Sequence, residues 1–234
     1  MATHLKLAAP SLRQLLLGRL KGPLEREGFH FATRSKSFVH NQGDVTESFL
    51  VTCTDAKPGY WVEPGVALRY ESVERIFHRT SGWDPKFQED TFTLGTRIGC
   101  LIDGKGTSCR LLLEAETEVP VIASQLLEIF KKFALPYFFR FSTLAAVDAE
   151  LNNEPAEKSI HRAGAWLKCS TGLIVAKLVG RPDYDWLAST YTEILRRDNK
   201  GFYAQRFESL VGYLNSLDPG LRESDSTSNK SGSK

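Results

Sequence analysis

The sequence lacks the features that mark export, membrane insertion or a disulfide-stabilised fold. Residues 1–10 hold only a short apolar stretch, too brief for the apolar core of a secretory signal. No run approaches the roughly 18 apolar residues of a spanning helix. The four cysteines include no Cys-x-x-Cys pair, so we expect four reduced thiols. We therefore expect a cytoplasmic location and no membrane partner.

A large excess of one charge is also missing. The chain has 30 basic and 28 acidic residues, which leaves a net charge of +2. Proteins that bind nucleic acid usually carry a clear basic excess, so nucleic acid is not the expected partner, although a total can hide a local patch. A chain of 234 residues with 41% hydrophobic content can bury a core without metals or disulfides.

The motifs of several common enzyme classes are absent as well. None of the five histidines has the His-Glu-x-x-His spacing of a zinc peptidase. The sequence has no Gly-x-Ser-x-Gly nucleophile motif, no phosphate-binding P-loop motif and no Gly-x-Gly-x-x-Gly dinucleotide motif. We therefore expect no cofactor and favour binding over catalysis. Catalytic residues that are scattered along a chain leave no such local signal, however.

The first part of the chain is predicted to form one helix followed by strands. Leucines at every fourth position predict a helix over residues 11–27, kinked or broken at Pro23. Strands are predicted near residues 29–40, 47–54, 61–70, 92–102 and 109–116. Asp103-Gly104 is interpreted as the hairpin turn between the last two. Strands separated mainly by turns imply an antiparallel sheet.

The rest of the chain is predicted to be helical. The polar, proline-containing stretch 152–157 separates a domain at 1–151 from a helical subdomain at 157–218. Residues 219–234 are almost devoid of apolar side chains, which predicts a disordered tail. The predicted fold class is α+β. An antiparallel sheet of about five strands is packed by helices on one face and is followed by an all-helical C-terminal subdomain.

The order of elements in the first part resembles a known family. A leucine-striped helix leads into Glu-Gly-Phe at residues 27–29, and a later helix leads into Leu-Pro-Tyr-Phe at residues 135–138. Over about residues 12–151 this pattern is similar to the uncharacterised bacterial domain-of-unknown-function family 4304. The family has no established activity, so the resemblance implies no catalytic residues. Similar small domains often neighbour bacterial toxin genes, which implies immunity-type or defence-associated binding of a protein.

The predicted sheet offers a candidate binding surface. Strand alternation points several charged side chains away from the apolar ones, and one face of an antiparallel sheet can remain open to water. The candidate binding residues are Trp61, Arg69, Arg97, Arg110 and Glu114. Because Arg and Trp are common interface anchors, the leading hypothesis is a non-enzymatic protein that presents this face or a strand edge to a protein partner. The competing interpretation is an ordinary polar face with cross-strand ion pairs.

Two further hypotheses remain open. Glu114 and Glu116 would share one face of a strand, with Asp103 in the preceding turn, as in a metal-dependent hydrolase or nuclease. The alternative for these carboxylates is a solvated strand end that leads into an acidic first helical turn. The other hypothesis is a nucleic-acid-binding module that uses Arg34, Lys36, Arg69 and Arg97.

Overall fold

The computed structural model describes residues 11–106 and 108–217. They form two compact units that are interleaved along the chain. The first unit holds residues 11–74, 86–142 and 160–162, and the second holds residues 75–85, 143–159 and 163–217. The predicted disordered tail, 219–234, and the N-terminal stretch 1–10 lie outside the described residues. No helix within the described ranges is long and apolar enough to cross a bilayer.

The first unit is built on a six-stranded antiparallel sheet, which confirms the predicted fold class. The strands are β1 His30–Ala32, β2 Ser37–Gln42, β3 Val45–Asp55, β4 Tyr60–Tyr70, β5 Leu94–Arg97 and β6 Leu111–Leu113. Strands β1 to β4 are neighbours in sequence order, and β5 and β6 both pair with β4. Because β5 pairs with residues 65–68 of β4 and β6 with residues 60–62, the two short strands lie end to end along one edge. Tight turns join antiparallel strands, which is why the turn signals predicted this topology.

One face of the sheet is packed by helices. In β4 the side chains of Val62, Val66 and Leu68 are fully buried, and they share this face because they are spaced by even numbers of residues along a strand. Phe49 of β3 shares this face, and its ring lies 5.2 Å from that of Phe130 at the end of a helix. The side chain of Phe29 packs edge-on against Phe130 at 5.1 Å. The apolar core of the first unit therefore lies between this face and its helices.

The helices that begin in the first unit are α1 Leu12–Arg26, α2 Glu71–Thr80, α4 Ile98–Asp103, α5 Val119–Ile129 and α6 Leu135–Arg140. The short helix α3, Pro85–Gln88, begins at the last residue of the second unit's first segment and continues in the first unit. Ser11 caps helix α1: its hydroxyl accepts a hydrogen bond from the N–H of Gln14, and its own N–H donates a hydrogen bond to the side-chain oxygen of Gln14. The helix continues through Pro23 without a break. A π-helical turn, Phe130–Ala134, joins α5 to α6.

The predicted strand over residues 92–102 is wrong in its second half. Strand β5 ends at Arg97, and the following residues form helix α4. An apolar run of this length fits either structure, because periodicity alone does not separate a short strand from a buried helical turn. Ile98 and Gly99 are buried, whereas Ile102 is 45% exposed.

The predicted hairpin at Asp103-Gly104 is wrong for the same reason. Gly104 adopts a left-handed conformation with φ of 68° and ends helix α4, as glycine commonly does. The partner strand predicted at residues 109–116 is limited to Leu111–Leu113. It ends there because the Glu118 carboxylate accepts hydrogen bonds from the N–H groups of Glu114 and Ala115, at 2.7 and 3.0 Å, and turns the chain into a 3-10 helix.

Residues 160–162 return to the sheet and occupy part of its outer edge. The N–H of Gly95 in β5 donates a hydrogen bond of 2.8 Å to the carbonyl of His161. The guanidinium of Arg162, which is buried, donates to the carbonyl of Phe92 and lies over the Phe92 ring at 5.5 Å. At Gly95, therefore, the strand edge is already paired within the chain. The hypothesis of an open edge is not supported at that position.

The second unit is helical. It contains α7 Leu144–Asn152, α8 Ala165–Val179, α9 Tyr184–Arg197 and α10 Ala204–Ser216, together with the later part of α2. Helix α8 packs against α7, α9 and α10 and is buried around most of its circumference. Helix α7 falls within the predicted 1–151 domain, but its contacts group it with these later helices.

A buried polar network joins three of these helices. The side-chain amide of Asn152 donates to Asp148 at 2.6 Å and to the carbonyl of Gly172 at 2.9 Å, and its oxygen accepts from the hydroxyl of Tyr191 at 2.6 Å. A Cβ at position 172 would lie 2.4 Å from that amide oxygen, so the close approach of α7 to α8 requires glycine. Satisfied networks of this kind fix how helices pack.

Candidate functional site

The sheet face opposite the helices contains most of the predicted binding residues. In β4 this face carries Trp61, Glu63, Ala67 and Arg69, since these positions alternate with the buried core residues. The face is not uniformly open, because Ser37 and Val39 of β2 and Ala67 of β4 are buried. The side chains at its two ends therefore differ in exposure.

At one end, Arg69 is a structural side chain and not part of an exposed surface. Its guanidinium donates to the carbonyls of Gln88 and Thr91, each at 2.9 Å, and pairs with Glu71. Only 14% of the side chain is exposed. The prediction that Arg69 is available to a partner is wrong, because alternation gives the direction of a side chain but not what lies over it. In this fold the last residue of α3 and the residues that follow it lie over Arg69.

Arg34 fixes the same segment from another point. It pairs with Glu89 and with Asp90, at 3.3 Å for the latter, and donates to the carbonyl of Lys86 at 3.0 Å. Lys36 lies in the exposed turn between β1 and β2 with φ of 53°. Two of the four residues of the nucleic-acid hypothesis, Arg34 and Arg69, are thus engaged in intramolecular contacts.

At the other end, three of the predicted residues come together around an acidic residue. Arg97 at the end of β5 and Arg110 just before β6 each place a guanidinium nitrogen 3.7 Å from the same oxygen of Glu63. The guanidinium of Arg110 also lies 4.6 Å from the centroid of the Trp61 ring. We call Trp61, Glu63, Arg97 and Arg110 the arginine–tryptophan cluster.

The sheet topology explains why these residues meet. Strands β5 and β6 meet the same edge of β4, and Glu63 lies between the positions where each of them pairs. The last residue of β5 and the residue before β6 therefore flank Glu63. Glu63 is only 18% exposed, whereas Arg97 is 59% and Arg110 is 42% exposed. The carboxylate thus forms the floor of the cluster, and the two guanidinium groups form its rim.

A capped loop supports the cluster from behind. Both oxygens of Asp103 accept hydrogen bonds from the chain that follows it, from the N–H groups of Lys105, Gly106 and Ser108 at 2.7, 2.7 and 2.8 Å. These bonds, with one from the Ser108 hydroxyl, hold the pKa of Asp103 far below its ordinary value. A Cβ at Gly106 would lie 3.3 Å from the Arg97 guanidinium, so this loop backs directly onto the site.

Glu63 is not among the predicted residues, although the sequence carries a signal for it. It lies two residues after Trp61 in the same predicted strand, and period-two alternation puts both side chains on one face. The sequence does not predict that Arg110, just before β6, lies opposite Glu63. That pairing depends on the register of β6 against β4, which is set by tertiary structure.

Glu114, the fifth predicted binding residue, does not share the sheet face. It follows the last residue of β6, is exposed, and its N–H is bonded to Glu118. Glu116 begins the 3-10 helix. The prediction that these two glutamates share a strand face is therefore wrong.

The carboxylates of the metal hypothesis are not assembled into a site. Asp103 uses both oxygens to cap its own loop, and Glu114 and Glu116 follow β6 in a turn. Across residues 11–106 and 108–217, no group of three or more His, Cys, Asp or Glu side chains is arranged to hold a metal ion.

Comparisons with known proteins give no relative: no family model, curated protein or solved structure matches this chain. The resemblance to family 4304 stays a prediction.

Proposed function

We propose that this chain is a non-enzymatic protein-binding module whose contact surface is the arginine–tryptophan cluster. One observation carries the proposal. The guanidinium groups of Arg97 and Arg110 both lie beside the Glu63 carboxylate, and that of Arg110 also lies over the Trp61 ring, yet within the described part of the chain neither donates a hydrogen bond to another group. Their donors are therefore positioned and available.

The physical case rests on preorganisation. A long arginine side chain normally loses rotamer freedom when it binds, which reduces affinity. Stacking on Trp61 and attraction to Glu63 already restrict Arg110 before any partner arrives. Arginine and tryptophan are also the residue types most often found as energetic anchors of protein interfaces. The cluster thus combines the right residue types with a reduced entropic cost of binding.

The balance of charge favours a protein over a nucleic acid. The chain as a whole carries a net charge of +2, and Arg34 and Arg69, which a nucleic-acid surface would need, contact other parts of the chain. The more specific setting of bacterial immunity or defence rests on the resemblance to family 4304.

The test is quantitative affinity capture from native cell lysate with matched variants. The site variant replaces Arg97 and Arg110 with alanine, and the control variant replaces Arg19 and Arg26, two exposed arginines of α1, with alanine. Both remove two positive charges. We expect one protein to be captured at a stoichiometric level by the wild type and the control and to be lost with the site variant.

A direct binding measurement with the purified partner completes the experiment. Circular dichroism establishes that both variants are folded. Equal capture by all three proteins, or no stoichiometric partner in any of them, would contradict the proposed function.

A further inference from the structure

We infer that the arginine–tryptophan cluster recognises a carboxylate of its partner, an Asp or Glu side chain on an acidic segment. This inference rests on the proposed binding function and adds the chemical class of the group that is bound. It follows from the distances, the charges and the exposure within the cluster.

The distances show that Glu63 does not saturate the two arginines. A charge-assisted N–H to carboxylate hydrogen bond has a length of about 2.7–2.9 Å. Both guanidinium groups lie 3.7 Å from Glu63. Glu63 therefore orients them electrostatically, and within residues 11–106 and 108–217 no acceptor takes up their hydrogen-bond donors. A guanidinium with free donors in a planar fork matches the two oxygens of a carboxylate.

The charge of the cluster favours a carboxylate over a phosphate. Two guanidinium groups and one carboxylate leave one net positive charge, which a single carboxylate neutralises. A phosphate monoester carries about −1.5 to −2 charges at neutral pH, and Glu63 at the floor of the cluster would repel the surplus. Glu63 thus disfavours the binding of anions that carry more than one negative charge.

Exposure determines which part of the cluster meets the partner. Glu63 is largely buried while both arginines are more than 40% exposed, so a visiting carboxylate reaches the guanidinium groups first. The Trp61 ring is half-buried beneath Arg110. We therefore expect a segment in which the acidic residue contacts the arginines and a neighbouring apolar residue contacts the Trp61 ring.

The test is selection of random linear peptides by phage display on the immobilised full-length protein. The same selection is run on the Arg97→Ala/Arg110→Ala variant and on the Arg19→Ala/Arg26→Ala control. We expect the wild type and the control to enrich peptides that contain Asp or Glu, and the site variant to lose them. Changing the selected peptide's Glu to Gln should weaken its affinity by about ten- to a hundredfold, because a charge-assisted bond is lost.

The outcomes separate this inference from the proposed function. If peptides bind through Arg97 and Arg110 but show no preference for acidic residues, the carboxylate inference is overturned and the binding function stands. Tighter binding of a phosphoserine peptide than of the Glu peptide overturns it in the same way, whereas tighter binding of a single-stranded RNA oligonucleotide overturns both the carboxylate inference and the proposed protein-binding function. Binding that is unchanged in the site variant overturns both.

Discussion

Replacing His161 with glutamine should reduce the sensitivity of the first unit to acid. The side chain of His161 is 2% exposed, its Nδ1 lies 3.3 Å from the hydroxyl of Tyr137, and the Phe141 ring lies 5.2 Å away. Burial, with a smaller effect of the Arg140 charge, lowers the pKa of His161 from 6.5 to about 4. Folding therefore disfavours the protonated imidazole.

The size of the effect follows from linkage. Because the pKa of His161 is lower in the folded chain than in the unfolded chain, the unfolded state binds more protons between about pH 4 and pH 6.5. The free energy of unfolding must therefore fall as the pH is lowered through this window. With 1.36 kcal/mol per pKa unit, the loss from this group is about 2 kcal/mol at pH 5 and about 3 kcal/mol at pH 4. Glutamine, which does not titrate, removes this loss.

The assay is urea unfolding over that pH range, followed by NMR signals of first-unit core residues such as Val66, so that a separate transition of the second unit does not interfere. The absolute stability of His161→Gln at neutral pH is not the readout, because the change also alters packing. The readout is the difference between the two pH profiles. Profiles that run parallel, or an NMR titration that places the pKa of His161 at or above 6.5, would refute the reasoning.

Three further predictions concern single residues. Tyr191→Phe should lower the free energy of unfolding by about 1–3 kcal/mol in denaturant titrations, because it leaves the buried Asn152 oxygen without its 2.6 Å donor; an unchanged midpoint would contradict this. Gly59→Ala should lower the free energy of unfolding by more than about 1 kcal/mol in the same assay, because φ is +88° and a Cβ would clash with the carbonyl oxygen of Leu113. Gly43→Ala should lower it by less, because a Cβ there meets no atom within 4 Å. Cys169 should be the last thiol to react with a maleimide at neutral pH, because it is buried and burial raises its pKa to about 12; early labelling in peptide mass maps would exclude this.

The antiparallel sheet could be predicted because its signals are local. The alternation of Val62, Val66 and Leu68 and the turns between β1 and β4 specify strands and their pairing without information from elsewhere in the chain. Residues 98–103 could not be assigned, because six residues are too few to separate period 2 from period 3.6. The Asp-Gly signal that favoured a hairpin occurs equally well at a helix end, where Gly104 is found.

The candidate site was predictable only in part, because local patterns give the direction of a side chain and not the tertiary contacts that it makes. Trp61, Arg97 and Arg110 could be placed on one sheet face by alternation, and the structure brings them together. Arg69 satisfied the same rule, but residues 88 and 91 receive its hydrogen bonds. Whether an arginine binds a partner or its own backbone depends on loop paths that no periodicity encodes.

The bond from Gly95 to the carbonyl of His161 has a practical consequence for the design of shortened chains. A fragment that stops at residue 151 would retain all six strands but lose the three residues that block the outside of β5. That strand would then expose an unsatisfied donor to any second molecule, which is the geometry from which sheets polymerise. A shortened chain that is meant to keep this edge paired should therefore extend to Arg162.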